Sequence, residues 1–125
     1  MLNQNLESLS LVSMHPTAAR TATGQGTSVD LKDFDGDLLL LLDSSVGTGT
    51  SPTLDVTLEE SSDDSTFTAL SGSAFSQVTD SSASQQKLAI NKDAAKRYVR
   101  VKYTLGGTTP SFTFSVNAVA APKYG

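Results

Sequence analysis

The sequence predicts an all-β protein, a single β-sandwich of about eight strands with an N-terminal arm, and three observations lead to it. Ser and Thr occupy 33 of the 125 positions, and Thr favours strands while both residues are poor inside helices. From Val29 onward, short apolar segments alternate with polar turns every ~8–12 residues. No segment carries a helical pattern long enough to form a layer. Jelly-roll and immunoglobulin-like topologies both fit this pattern.

The chain divides into an N-terminal arm, residues 1–24, and a sandwich domain, residues 25–125. The first 14 residues place apolar side chains at spacings of four, three and three, which fits one helical face or an extended segment that docks on a partner. Residues 16–27 contain no large apolar side chain and indicate a linker. We therefore predict that the arm lies outside the compact core and contacts a partner through Leu2, Leu6, Leu9 and Val12.

The predicted strands are of two kinds. Leu38–Asp43 is apolar without alternation, which predicts a central strand covered on both faces. Thr53–Glu59 and Tyr98–Leu105 alternate apolar and polar residues, which predicts one face on the core and one in water. Turns are predicted where Asp, Ser, Gly and Pro cluster, at residues 33–36, 47–52, 61–65 and 106–110.

The residues that are missing exclude several classes of function. Without Cys there is no disulfide, thiol nucleophile, iron–sulfur cluster or Cys-ligated zinc. The single histidine, His15, excludes a two-His metal site within one chain, and no nucleophile elbow or phosphate-binding loop is present. We predict that His15 is a surface or interface residue, and that the protein is not an enzyme and uses no cofactor.

Charge and hydropathy exclude two classes of partner. The formal net charge is -4, whereas binding to nucleic acid requires a basic face. The apolar run Leu38–Leu42 has five residues, far fewer than the ~20 of a membrane-spanning helix. The first 14 residues also lack the basic region and apolar core of an export signal. We expect neither nucleic acid nor membrane as a partner.

The segment DFDGD brings three carboxylates close together in sequence. Asp33, Asp35 and Asp37 alternate beside a glycine, and calcium is bound by carboxylate oxygens around a tight turn. The segment lacks the downstream Glu and the flanking helices of a helix–loop–helix calcium site. Asp and Gly are also the residues that turns select for backbone reasons. A solvated turn is therefore the preferred interpretation.

Charges of opposite sign occupy different parts of the chain. Ten acidic residues and one basic residue lie between Asp30 and Asp64, and six basic residues and one acidic residue lie between Lys87 and Lys102. Two interpretations follow: the two segments pair within one subunit, or an acidic edge contacts the basic edge of a neighbour in a cyclic oligomer. In the second case the contacts are predicted to use Asp33, Asp35, Asp37, Lys96, Arg97 and Arg100.

Three segments together carry a family resemblance: LLLLLDSSVGTGTSP (38–52), LDVTLEESSDDSTFTALSGSAFSQVT (54–79) and KRYVRVKYTLGGTTPSFTFSVNAVAAP (96–122). In overall strand-and-turn pattern the chain resembles small structural proteins of tailed bacteriophages that decorate or cement the capsid. The resemblance implies a non-enzymatic homotrimer, made in the host bacterial cytoplasm, that binds the phage major capsid protein on the capsid exterior. In such proteins an N-terminal arm commonly reaches onto the shell, and residues 1–24 are the matching segment.

A second resemblance gives an alternative. The stretch ESSDDSTFTAL (60–70), followed by KRYVRV (96–101), is similar to a pattern of discoidin-like and carbohydrate-binding jelly rolls. Those proteins bind ligands with aromatic and basic residues in loops. This chain has Asp64 where that pattern has a glycine, and it contains no Trp. A carbohydrate-binding module displayed on a virion and a phage tail component are the two alternatives to a capsid protein.

Overall fold

A computed structural model describes residues 10–91 and 95–122, so Leu2, Leu6 and Leu9 lie outside the described residues. The strands are β1 (Ser10–Arg20), β2 (Gly24–Gln25), β3 (Val29–Asp30), β4 (Phe34–Ser44), β5 (Thr48–Ser61), β6 (Thr68–Ala74), β7 (Ser84–Asn91) and β8 (Tyr98–Pro122), with one 3-10 helix at Leu31–Asp33. The predicted all-β fold with about eight strands is confirmed. Within the described ranges, no helix has the length and apolar character needed to cross a membrane.

The long strand β8 lies at the centre of the sheet. On one side it pairs in succession with β1, β2 and β3, and on the other with β4 and β5, always antiparallel. Pairing connects the strands in the order β6-β5-β8-β4-β7, in which β5 pairs with residues 98–111 of β8 and β4 with residues 114–122. Because β8 contributes to every part of the sheet, it joins a first half (β1, β8, β4, β7) to a second half (β6, β5, β8, β2, β3).

The pairing of β8 requires the sheet to fold over on itself. An extended strand of 25 residues would span about 80 Å. Asp30 nevertheless pairs with Tyr98 at one end of β8, while Phe34 pairs with Pro122 at the other. Since only the short 3-10 helix separates Asp30 from Phe34, the two ends of β8 lie close together. The two halves of the sheet therefore face each other, as in a sandwich.

The fold-over lies where turns are predicted at residues 47–52 and 106–110. Pairing continues through this region, with Thr50 opposite Thr108 and Thr53 opposite Gly106, but the register shifts twice. The backbone there adopts positive φ at Gly49 (115°) and Gly107 (98°). The prediction of loops is wrong for these segments, because both are bent parts of β5 and β8 that stay hydrogen-bonded to each other.

Alternate side chains of both halves form one core. From β4 the core receives Leu38, Leu40 and Leu42, and from β5 it receives Leu54, Val56 and Leu58. The central strand contributes the largest set, which is Val99, Val101, Tyr103, Phe112, Phe114, Val116, Ala118 and Ala120. This period of two is the pattern that the alternating segments predict.

For residues 10–20, strand β1 corrects the prediction that the arm lies outside the core. It pairs with β8 from Ser10 to Arg20, and its register is interrupted on both sides of His15. These bulges let two consecutive side chains, Met14 and His15, both face inward, and both are fully buried. Val12 is half-buried against the core. The segment 10–20 therefore belongs to the folded domain.

Of the turns predicted at residues 33–36, within DFDGD, and at residues 61–65, the structure contains only the second. The 3-10 helix ends at Asp33 and β4 begins at Phe34, so the predicted turn at residues 33–36 is wrong. The pairing of β4 with β8 is irregular at this point, with a register shift between Asp35 and Leu39. At residues 61–65 the predicted turn is confirmed, because the Asp63 carboxylate accepts hydrogen bonds from the hydroxyl of Ser61 and from two backbone N–H groups.

Candidate interaction surface

Strand β4 exposes two of its five leucines. Leu39 and Leu41 each have 38% of their surface exposed, whereas Leu38, Leu40 and Leu42 are buried. The prediction that this strand is covered on both faces is therefore wrong. The second half of the sheet packs against only one face of β4, and the strand period of two turns Leu39 and Leu41 to the opposite face.

An apolar row crosses the first half of the sheet at the level of Leu39. Leu11 of β1 pairs with Val119 of β8, Val119 pairs with Leu39, and Leu39 pairs with Ala89 of β7. Leu11 is 71% exposed, Ala89 is exposed and Val119 is half-buried. At the ~4.8 Å spacing of neighbouring strands, this row extends for about 14 Å. We call these four residues the apolar row.

The next level of the same face combines one leucine with polar side chains. Leu41 lies opposite Asn117 on one side and Lys87 on the other. An open groove of about 530 Å³ runs beside it, and its lining includes Leu41, Asp43, Gln85, Lys87, Ser115 and Asn117. We call the apolar row, Leu41 and this groove the outer face.

The chemistry of the outer face suits contact with another protein. Its centre is apolar, and its border is made mostly of small or uncharged polar groups that donate and accept hydrogen bonds. Protein interfaces have this organisation, with an apolar centre and a polar rim. Exposed contiguous apolar groups on a soluble domain are a marker of such contacts.

The sequence contains a signal for the outer face. Five consecutive leucines in one strand must place two side chains opposite the other three, because successive strand residues point to opposite faces. Whether Leu39 and Leu41 are covered depends on the number of layers in the fold. The five leucines do not indicate that number. The apolar row has no sequence signal, since Leu11, Val119 and Ala89 come from separate strands.

Two of the charged residues singled out from the sequence, Arg97 and Arg100, form ion pairs within the chain. A side-chain nitrogen of Arg97 lies 2.9 Å from a carboxylate oxygen of Asp30, and Nε of Arg100 lies 2.9 Å from Glu59. The backbone N–H of Lys96 donates to Glu60 at 3.0 Å. Of the two interpretations, pairing within one subunit is the one observed for Arg97 and Arg100.

Of the three carboxylates of DFDGD, only that of Asp37 is among the described side chains. Among the side chains that the structure describes, no group of three or more His, Cys, Asp or Glu is placed to hold a metal ion. Asp37 is exposed and pairs across the sheet with Asn91. Asp33 and Asp35 lie where the 3-10 helix meets β4.

Replacing Asp30 with Asn should have a small effect on stability that depends on pH. The hydrogen bond from Arg97 lowers the pKa of the Asp30 carboxyl below its usual value of 3.8. This contribution is present above that value and disappears as the pH falls through the lower pKa of the folded state. Because the pair is partly exposed, we expect Asp30→Asn to cost less than about 1 kcal/mol at pH 7.

Urea unfolding at pH 7 and at pH 2 measures this effect, with Asp80→Asn in an exposed loop as the control. The difference between wild type and Asp30→Asn should shrink at pH 2. An equal difference at both values of pH would contradict the assigned role of the pair.

His15 is not on the surface, in contrast to the prediction. Its ring stacks on Phe114 with centroids 4.2 Å apart and an interplanar angle of 10°, and it meets the edge of Tyr103 at 5.1 Å. Nε of Arg20 donates a hydrogen bond to Nε2 of His15 at 2.9 Å. Burial and the charge of Arg20 lower the pKa of His15 below 6.5. The ring is therefore neutral at pH 7.

The described tyrosines do not build a platform for sugar stacking. Tyr103 is buried in the core beside His15 and Phe114. Tyr98 is half-buried, with the guanidinium of Arg97 5.0 Å from its ring centroid. The carbohydrate-binding alternative requires exposed aromatic side chains in a loop cluster, and these two residues do not provide them.

No protein-family model and no curated protein matches the sequence. Among solved structures, the PBSX exported protein XepA is similar with a TM-score of 0.63 at 14% identity, over 90% of this chain and 37% of that chain. A structure of the infectious bursal disease virus Gx strain has a TM-score of 0.60 at 11% identity, over 94% and 32%. The VP2 subviral particle of that virus gives 0.59 at 12%, over 91% and 32%.

The chain spans about a third of the length of each of these proteins. At 11–14% identity, this likeness shows a shared fold alone. The protein therefore shares its β-fold with part of XepA and with part of a viral particle protein.

Proposed function

We propose that the protein is a non-enzymatic structural component of a phage virion that binds the outside of the capsid and stabilises contacts between major capsid protein subunits. Two lines support this proposal. The sequence resembles phage capsid decoration proteins in its strand-and-turn pattern. The fold is similar to part of a viral particle protein and to a PBSX exported protein.

The observation that carries the proposal is the outer face. Leu11, Leu39 and Leu41 are exposed on a chain in which only 18% of residues are charged. Such a face loses little hydration energy when it is covered by protein, and its apolar centre gains from leaving water. A decoration protein needs this kind of surface, because it must adhere to a preformed shell without a catalytic or cofactor site.

The N-terminal residues extend this contact in our proposal. The chain enters β1 at Ser10, one residue before Leu11 at the edge of the apolar row. We propose that Leu2, Leu6 and Leu9, which precede β1 in the sequence, also contact the shell. We further propose a homotrimer on the capsid exterior, with contacts between copies that involve Asp33, Asp35, Asp37 and Lys96; of these, Asp37 and Lys96 are exposed.

The double variant Leu39→Ser with Leu41→Ser should bind capsids at least about tenfold more weakly than wild type, because two apolar groups leave the centre of the contact. Val46→Ser is the matched control, since Val46 is 43% exposed in the loop after β4 and lies off the outer face. Both variants should keep the wild-type melting temperature. Co-sedimentation with purified capsids of the phage that encodes the chain, stripped of this protein, measures the binding.

Equal binding of the double variant and Val46→Ser would refute the use of the outer face. The wider proposal is tested on purified virions by mass spectrometry and electron cryomicroscopy. Density for the chain on the capsid exterior is the expected result. Its absence from virions, or density on the tail alone, would overturn the capsid assignment.

A further inference from the structure

Strand β1 contains a titratable side chain, His15, that is buried in the core, where a charge is unfavourable. His15 is fully buried between the two halves of the sheet, stacked on Phe114 and against the edge of Tyr103. No phosphate, metal or carboxylate contact is needed to explain its neutral state, because burial alone disfavours the imidazolium.

The hydrogen bond from Arg20 determines which nitrogen carries the proton of the neutral ring. Nε2 accepts from Nε of Arg20, so the neutral ring carries its proton on Nδ1. Nδ1 is buried and has no hydrogen-bond partner among the described residues. A second proton must therefore go to Nε2, which is the atom that accepts from Arg20.

Protonation at Nε2 would break the hydrogen bond from Arg20. It would also place an imidazolium beside the Arg20 guanidinium, so that the N–H groups at Nε2 of His15 and Nε of Arg20 would point at each other. The titratable groups that face the ring are Arg20 from β1 and Tyr103 from β8; β2 contributes Gly24 and Gln25 at this level. Stacking on Phe114 offsets part of this cost, because an aromatic face attracts a cation.

Strand β1 is the element that can yield. Among the described strands it pairs only with β8, and the backbone N–H of Thr27 donates to the carbonyl of Met14 at 3.1 Å. Its register is interrupted between Ser13 and His15 and again between His15 and Ala18. Strands that follow it, β2 and β3, have two residues each. An edge strand with broken pairing opens locally at a lower free energy than the whole domain.

We propose that β1 is an acid-sensitive strand: protonation of His15 separates β1 from β8 while the rest of the sandwich stays folded. The unfolded ring binds a proton near pH 6.5, and the buried ring does so only at lower pH. The free energy that holds β1 in place is thus unaffected above pH 6.5 and falls as the pH decreases below it.

This separation would also remove Leu11 from one end of the apolar row. Acid would then weaken the outer face, a consequence that rests on the proposed function. The acid sensitivity of β1 does not rest on it, because it concerns the isolated protein. The experiment below therefore uses no capsid, and its failure would leave the capsid proposal standing.

Hydrogen exchange followed by mass spectrometry tests the proposal on the full chain at pH 7.5 and 5.0, with rates corrected for the intrinsic effect of pH. Peptides covering Ser10–Arg20 should lose at least about tenfold protection at pH 5.0, while peptides of β4 and β5 keep theirs. His15→Gln preserves an acceptor for Arg20 without a titrating ring, and its β1 should be equally protected at both values. The same loss in His15→Gln would overturn the proposal.

A second measurement holds even if His15→Gln does not fold. Because the chain has one histidine, the ring protons of His15 give a single NMR titration in the wild-type protein. A midpoint below 6.5, accompanied by exchange broadening or shifts of amides in β1, is expected. A midpoint above 6.5, or a titration that leaves β1 amides unchanged, would show that the proton does not act on this strand.

Discussion

Replacing Phe114 with Ala should lower the free energy of unfolding by about 3–5 kcal/mol, the largest effect we expect from any single substitution in this chain. Phe114 is fully buried and contacts both rings of the cluster, with centroid distances of 4.2 Å to His15 and 5.3 Å to Tyr103. The substitution leaves a cavity beside two rings that β1 and β8 hold in place. For a domain of this size, the melting temperature should fall by roughly 10–20 °C.

Phe67→Ala is the matched control for Phe114→Ala. Phe67 is half-buried, and its contact is with the guanidinium of Arg100, 3.9 Å from the ring centroid. Its loss should cost about 1 kcal/mol. The chain has no Trp, so unfolding is best followed by far-UV circular dichroism in urea. Equal destabilisation by both substitutions would show that the cluster around His15 is not a major part of the core.

Replacing Gly107 with Ala should destabilise the protein by at least about 2 kcal/mol, because it disturbs the bend that brings the two halves together. Gly107 has a φ of 98°, which side chains rarely tolerate. A Cβ atom at this position would lie 2.5 Å from the carbonyl oxygen of Ser51 and 2.7 Å from that of Thr50. Both atoms belong to the backbone of β5, which cannot move away without losing its pairing with β8.

Gly106→Ala, one residue earlier, separates this effect from a general cost of alanine at the bend. A Cβ atom on Gly106 would meet the hydroxyl of Thr53, the end of a side chain that can rotate. We expect a loss below about 1 kcal/mol for Gly106→Ala. Urea unfolding of both variants side by side measures the difference. A loss for Gly107→Ala no larger than that for Gly106→Ala would contradict the assigned role of the bend.

Much of the fold was predictable because its determinants are local. The alternation at Thr53–Glu59 and Tyr98–Leu105 follows from the strand period of two, and the structure buries the expected side of each segment. The acidic turn at residues 61–65 was predictable for a similar reason, since Asp63 organises it through hydrogen bonds within five residues. The lack of Cys and the high content of Ser and Thr are properties of the sequence alone, so conclusions from them do not depend on the fold.

The errors arose where a side chain's surroundings come from distant parts of the chain. His15 reads as an exposed residue beside Pro16 because its sequence neighbours are polar and small. Its burial depends on a bulge and on two rings of β8 that lie about 90 residues away. Segment 106–110 reads as a turn because Gly and Pro are abundant, yet pairing with β5 keeps it within a bent strand.

The sequence by itself determined the class of the fold, the inward side of each alternating strand, the lack of a thiol and the lack of a second histidine for a two-His metal site. Only the tertiary structure decided that β8 folds over, that β1 belongs to the sheet and that Leu39 and Leu41 face outward beside Leu11 and Val119. Periodicity and composition act on neighbours in sequence. Coverage of a face and alignment of a row depend on which strands pair and on how many layers pack, and these are properties of the whole chain.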